Sequence, residues 1–199
     1  MITNWGEKIA RKLAASGTIS PEEIDLYGYG FFLLLSSTLY LVVVSIFGCA
    51  LGVLWESIIF YFLFSILREY AGGIHAKTEY GCILSTILAL LLSTMGIRGM
   101  LQAEHLTMAM MLLIVGCAVV FHFSPLDVPE KPLSTEDWRY YRRISRNLAV
   151  AYVLFGVLAR VAGWRILYPL AASTTLEGIL LLSGTANLKK RNRKNRKKG

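Results

Sequence analysis

Leu67-Arg68-Glu69-Tyr70-Ala71-Gly72-Gly73-Ile74-His75-Ala76-Lys77-Thr78-Glu79-Tyr80-Gly81-Cys82 is a polar, glycine-punctuated island between two apolar runs. The run before it, residues 51–67, carries a single charge, Glu56, and the run after it, residues 82–97, carries none. The same texture extends outward in both directions. No charge falls between Leu26 and Trp55, between Leu106 and Leu126, or between Asn147 and Ala159. Crossing about 30 Å of hydrocarbon takes roughly 20 helical residues. Only a helix or a closed barrel satisfies its backbone polar groups there, because the lipid core offers no water. With 55% hydrophobic residues in 199 and a mean hydropathy of +0.52, the chain is expected to be an all-α, polytopic membrane helical bundle. Six apolar segments stand out, at about 27–46, 51–67, 82–97, 106–124, 147–163 and 166–184. They allow four to six spans, and the third, the shortest, leaves room for a re-entrant segment.

The whole chain, 1–199, reads as one domain by length. Met1–Ile24 does not read as a cleavable signal, because it holds Glu7, Glu22 and Glu23 and lacks a sufficient apolar core. Within residues 1–20, Asn4–Ala15 places Trp5, Ile9 and Leu13 on one face and Lys8, Arg11 and Lys12 elsewhere, the pattern of a helix lying in an anionic interface. Ser20-Pro21-Glu22-Glu23 has the spacing of a capping box with proline at the first helical position, so the first span is predicted to begin near Pro21.

Lys and Arg gather on the cytoplasmic side of membrane proteins. If both termini face inward, every Lys and Arg falls on an inner segment except Arg98, Arg160 and Arg165. An even number of spans in the cell membrane, both ends cytoplasmic, is the orientation this predicts. It puts the 68–81 island at the inner face. The tail at 187–199 is basic and of low complexity. It reads as an anchor on anionic lipid rather than a nucleic-acid contact, and topology accounts for most of the net charge of +8.

The three cysteines are too few and scattered for a disulfide framework. Cys49 and Cys117 lie in apolar runs and are expected to be small buried hydrophobes. Cys82 differs, because it opens an apolar helix directly after Gly81. The partial positive charge and unpaired N–H groups of a helix N-terminus favour a thiolate there and could hold an oxyanion. His75 could take the thiol proton and return it to a leaving amine. Seven residues of straight helix would part the two by roughly 10 Å, so residues 75–82 are predicted not to form one unbroken helix. Gly72, Gly73 and Gly81 supply the freedom to bend. A lone His near a lone Cys is also a common coincidence, and spacing alone leaves both readings open. A zinc site is disfavoured because four ligands are expected, and His105 and His122 lie at other depths.

The spacing Arg68, four residues, Gly73, one residue, His75, six residues, Cys82 resembles the signature of the AgrB family, the accessory gene regulator protein B membrane peptidases. Pro125-Leu126-Asp127 followed by Lys131-Pro132 is similar to the polar loop of that family. Chain length, the amphipathic N-terminus and the order of spans agree with it. The resemblance implies a cysteine endopeptidase that cuts a short precursor peptide, AgrD, and holds the N-terminal fragment as a thioester on Cys82. A nucleophile within the peptide then closes a thiolactone or lactone ring, the quorum-sensing signal. It implies His75 as base, Arg68 and Gly73 as positions needed for activity, with Gly72 and Lys131 as supporting residues. It also implies a homodimer and no cofactor.

Glu56 and Glu177 fall within apolar segments, and ionisable groups at such depth are functional candidates by default. Glu177 follows Ser173, Thr174 and Thr175 and could line a path, pair with a cation from another span or join interhelical hydrogen bonds. Two other functions stay open at this point: a small peptide or ion transporter using Glu56 and Glu177, and a non-catalytic scaffold with a basic tail. The third partner of His75 is likewise open among Glu69, Glu79 and Asp127.

Overall fold

The computed structural model describes residues 2–72, 79–127 and 133–196. Among them the regular structure is helical throughout: α1 Ile2–Ala15, α2 Ile24–Ala50, α3 Leu54–Ala71, α4 Glu79–Gln102, α5 Leu106–Phe123, α6 Thr135–Ala162 and α7 Leu167–Arg196. Each of the six apolar segments falls on one helix, α2 to α7, to within three residues. Among the described residues four helical stretches, Pro21–Ala50, Tyr80–Gln102, Leu106–Phe123 and Thr135–Ala162, are long and apolar enough to cross a membrane. The protein is thus a multi-pass, all-α membrane bundle. One expectation changes. The third apolar run, the shortest in sequence, lies in the 24-residue helix α4, longer than the 18 residues of α3 or α5, and the stretch Tyr80–Gln102 is long and apolar enough to cross a membrane.

The chain folds as two units, Met1–Val43 and Val44–Gly199. In the first, Gly6 and Ala10 are the buried positions of α1. A Cβ on Gly6 would lie 2.6 Å from the Gly28 carbonyl oxygen, so glycine is what allows α1 to press against α2. Trp5 stays outward, 61% exposed. The predicted helix start is present. A 3-10 turn at Pro21–Glu23 leads into α2, and the Glu23 carboxylate accepts a hydrogen bond from the Ser20 amide at 2.9 Å.

In the second unit α7 is the central helix and packs against α3, α4, α5 and α6. Leu167, Leu170, Ala171, Ser173, Thr174 and Glu177 are buried on it. Lipid tails are as apolar as leucine, so packing in a membrane favours small residues that let backbones approach. Gly116 of α5 is such a residue, since a Cβ there would come within 2.6 Å of the Thr174 carbonyl carbon. Tyr152 of α6 donates its hydroxyl to the Leu63 carbonyl of α3 at 3.0 Å. Helix α6 begins at Ser134, whose Oγ accepts from the Asp137 amide at 3.0 Å, and its first half is basic before the apolar run from Asn147. Of the two cysteines expected to be buried, Cys117 is, but Cys49 is exposed. Cys49 sits in the last turn of α2 with its side chain turned outward.

Candidate active site

The apolar face of α3 ends where the polar island begins. Phe60, Phe64, Leu67 and Ala71 recur at three- and four-residue spacing and are buried. The Phe60 and Phe64 rings stack with centroids 6.1 Å apart, and the Arg68 guanidinium carbon lies 5.9 Å from the Phe64 ring centre. Arg68 is one turn further on, at the bottom of this aromatic column. Its Nη1 is 3.6 Å from Oε2 of Glu177, whose side chain is 0% exposed. The two residues are far apart in sequence and on different helices. A carboxylate in an apolar interior is tolerated when a cation compensates it, and Arg68 does this.

Helix α3 stops at Gly72. The Gly72 amide donates to the Arg68 carbonyl at 3.1 Å, and its φ of 77° with ψ of −173° is a conformation open essentially to glycine alone. The turn is clasped from outside by the loop after α5. The Leu126 amide donates to the Ala71 carbonyl at 2.9 Å, and a Cβ on Gly72 would stand 3.1 Å from the Leu126 carbonyl oxygen. The loop is itself tied down. Ser124 Oγ and Ser145 Oγ of α6 are 2.7 Å apart, and Asp127 accepts from the Leu133 amide at 3.2 Å. The two stretches singled out in the sequence, the island and Pro125-Leu126-Asp127, therefore meet at Gly72.

Helix α4 begins at Glu79 and packs against α3. Cys82 lies in its first turn as a free, half-buried thiol, and its carbonyl accepts from Ser85 Oγ at 3.0 Å. The predicted location of the thiol at a helix N-terminus is what the structure contains. Gly73, His75 and Lys131 lie outside the described residues, and so does the bend expected between His75 and Cys82.

Neither of the two carboxylates marked in the apolar segments stands alone. Glu177 has Arg68, and Glu56 has Arg165, whose Nη1 is 3.4 Å from its Oε1. Of the open partners for His75, Glu69 is exposed and Asp127 is engaged in closing its own loop. Sequence reasoning marked Glu177 by its depth but did not pair it with Arg68. Hydropathy gives depth and no azimuth between helices. The role of Leu126 was also missed, since a backbone amide leaves no signature in residue type.

A basic aromatic surface borders the site. The Arg142 guanidinium sits 4.6 Å from the Trp138 ring centre and that of Arg146 4.5 Å from Phe121. The rings of Tyr70 and Tyr141 are 6.1 Å apart, linking α3 to α6.

Comparison with known proteins finds relatives over most of the chain. The family described as Accessory gene regulator B matches residues 6–182. An AgrB-like protein of Clostridium perfringens strain 13 is 27% identical over 183 residues, covering 87% of this chain and 86% of its own. Another from strain SM101 is 26% identical, covering 90% and 87%. A third, from Halalkalibacterium halodurans, is 24% identical, covering 91% and 87%. No solved structure matches.

Proposed function

The chain belongs to the accessory gene regulator B family, which processes agr quorum-sensing peptides, and on that premise we propose that it is a membrane cysteine endopeptidase acting on an AgrD-like precursor. One observation carries this reading. Cys82 is a free, half-buried thiol in the first turn of α4, joined by residues 73–78 to the pinned end of α3.

His75 removes the Cys82 proton, and the thiolate attacks the scissile carbonyl carbon. The amides of the first α4 turn face the oxyanion that forms. The C–N bond breaks, His75 returns the proton to the departing amine, and the N-terminal fragment remains as a thioester on Cys82. A thiol or hydroxyl within the fragment then gives its proton to His75 and attacks the same carbon, forming the thiolactone or lactone as the C–S bond to Cys82 breaks and Cys82 leaves as the thiolate of a thiolate–imidazolium pair. Thioester exchange with a thiol is nearly an exchange of equals, and the tether supplies high effective molarity. A site set among packed helices limits hydrolysis of the intermediate.

In this reading the whole chain is one peptidase domain, with both termini and the site at the cytoplasmic face. Residues 1–20 lie in the interface and 187–199 form the inner basic tail. Arg68, Gly72, Gly73 and Lys131 support substrate or backbone, and the enzyme works as a homodimer. The ion pairs of Glu56 and Glu177 give both carboxylates a structural partner and leave a transporter with less to rest on.

The test is processing of an AgrD-like precursor in liposomes. Cys82→Ala should leave the precursor intact, and the wild type should yield a hydroxylamine-labile adduct on Cys82. His75→Ala should also stop cleavage at normal membrane abundance. Normal cleavage by Cys82→Ala ends the cysteine mechanism.

A further inference from the structure

The carboxylate of Glu177 is fully buried in α7, and among the described residues neither of its oxygens accepts a hydrogen bond. A glutamine or leucine would be less costly to bury at this position. Around Glu177, α7 lies directly against α5: Gly116 meets the Thr174 backbone with no room for a Cβ, and Gly178 lies within ordinary contact range of Val119. Glu177 is thus held in register by α5 and directed at one group on α3, the Arg68 guanidinium, at 3.6 Å.

Arg68 is in turn built into the end of α3. Its side chain lies over Phe64, and its carbonyl accepts the Gly72 amide that closes the helix. The loop through Leu126 grips that same turn. An arginine has a long, flexible side chain, and without a fixed anion it would swing toward lipid headgroups.

We propose that Glu177 is a positioning residue for the acyl-transfer reaction: the buried carboxylate on α7 sets Arg68, and with it the last turn of α3 from which the chain departs toward Cys82. This rests on the peptidase reading above. It assigns α7 a part in the reaction although α7 supplies no reacting atom.

The experiment is a double-mutant cycle on the full chain in liposomes. Cleavage of an AgrD-like precursor is followed as kcat and KM, beside the amount of inserted protein. Glu177→Gln should lower kcat at least tenfold at normal abundance with KM little changed, and Glu177→Asp should recover part of the loss. In an Arg68→Lys background Glu177→Gln should change the rate less than twofold, because the positioning it provides is already lost. Wild-type kinetics for Glu177→Gln, or an equal loss in both backgrounds, overturns the proposal. If Glu177→Gln does not accumulate, Glu177→Asp enters the cycle in its place, and the same two outcomes decide. Failure of the peptidase reading looks different, for then Cys82→Ala cleaves normally. Failure of this proposal leaves Cys82 essential and Glu177 dispensable.

Discussion

Helix α3 carries an ion pair toward each end, and the two share their chemistry and little else. Near its start Glu56 faces Arg165 at 3.4 Å, with side-chain exposures of 13% and 75%. Near its end Arg68 faces Glu177 at 3.6 Å, with exposures of 24% and 0%. The separations are nearly equal, so distance does not distinguish the two pairs. Burial within the protein does. At the exposed end Arg165 can trade Glu56 for solvent, and such pairs contribute about 0–1 kcal/mol. At the buried end the carboxylate has no such alternative, and removing its partner leaves an uncompensated charge costing about 3–5 kcal/mol. Position along α3 therefore separates a pair whose cation lies largely open from one whose carboxylate is sealed in the interior.

The comparison can be broken most directly at the buried end. Arg68→Met should destabilise the detergent-solubilised protein by about 3–5 kcal/mol in denaturant unfolding. Replacing Arg68 and Glu177 together by Met should recover most of that stability, since two apolar side chains suit the interior. A double variant no more stable than Arg68→Met would mean that the two charges do not compensate one another.

A smaller effect is expected where the same end turns. Gly72→Ala forces a side chain into a backbone conformation costing about 1–3 kcal/mol, with its Cβ 3.1 Å from the Leu126 carbonyl oxygen. Thermal unfolding should fall accordingly, and precursor cleavage should fall with it at equal abundance. Unchanged melting would show that the Leu126 clasp yields freely.

The smallest effect belongs to the exposed end. Glu56→Gln should cost less than about 1 kcal/mol, and added salt should shrink the difference, since exposed charges are screened. A loss matching that of Arg68→Met would erase the contrast between the two ends.

The helix ends that flank the candidate site were legible in residue order. The glycines at 72 and 73 announced a break, and α3 does stop at Gly72 with a positive φ. Gly81-Cys82 before an apolar run announced a thiol at a helix start, and α4 begins at Glu79. These features depend on near neighbours in the chain, which is why spacing could carry them. Cys49 and Cys117 look alike in sequence, each a cysteine in an apolar run, yet one is exposed and the other buried. In lipid both faces of a helix are apolar, so hydropathy cannot tell an outward face from an inward one.

The amino-acid order by itself determined the helical, membrane-spanning class, the positions of the helices and the places where they break. Hydropathy, capping and glycine act over a few residues, and lipid leaves a backbone few other choices. The tertiary structure alone decided that Arg68 meets Glu177, that Leu126 clasps Gly72 and that α7 lies at the centre. Those contacts join residues remote in sequence, and they follow from which helix faces can approach closely enough to bury a charge and satisfy a carbonyl.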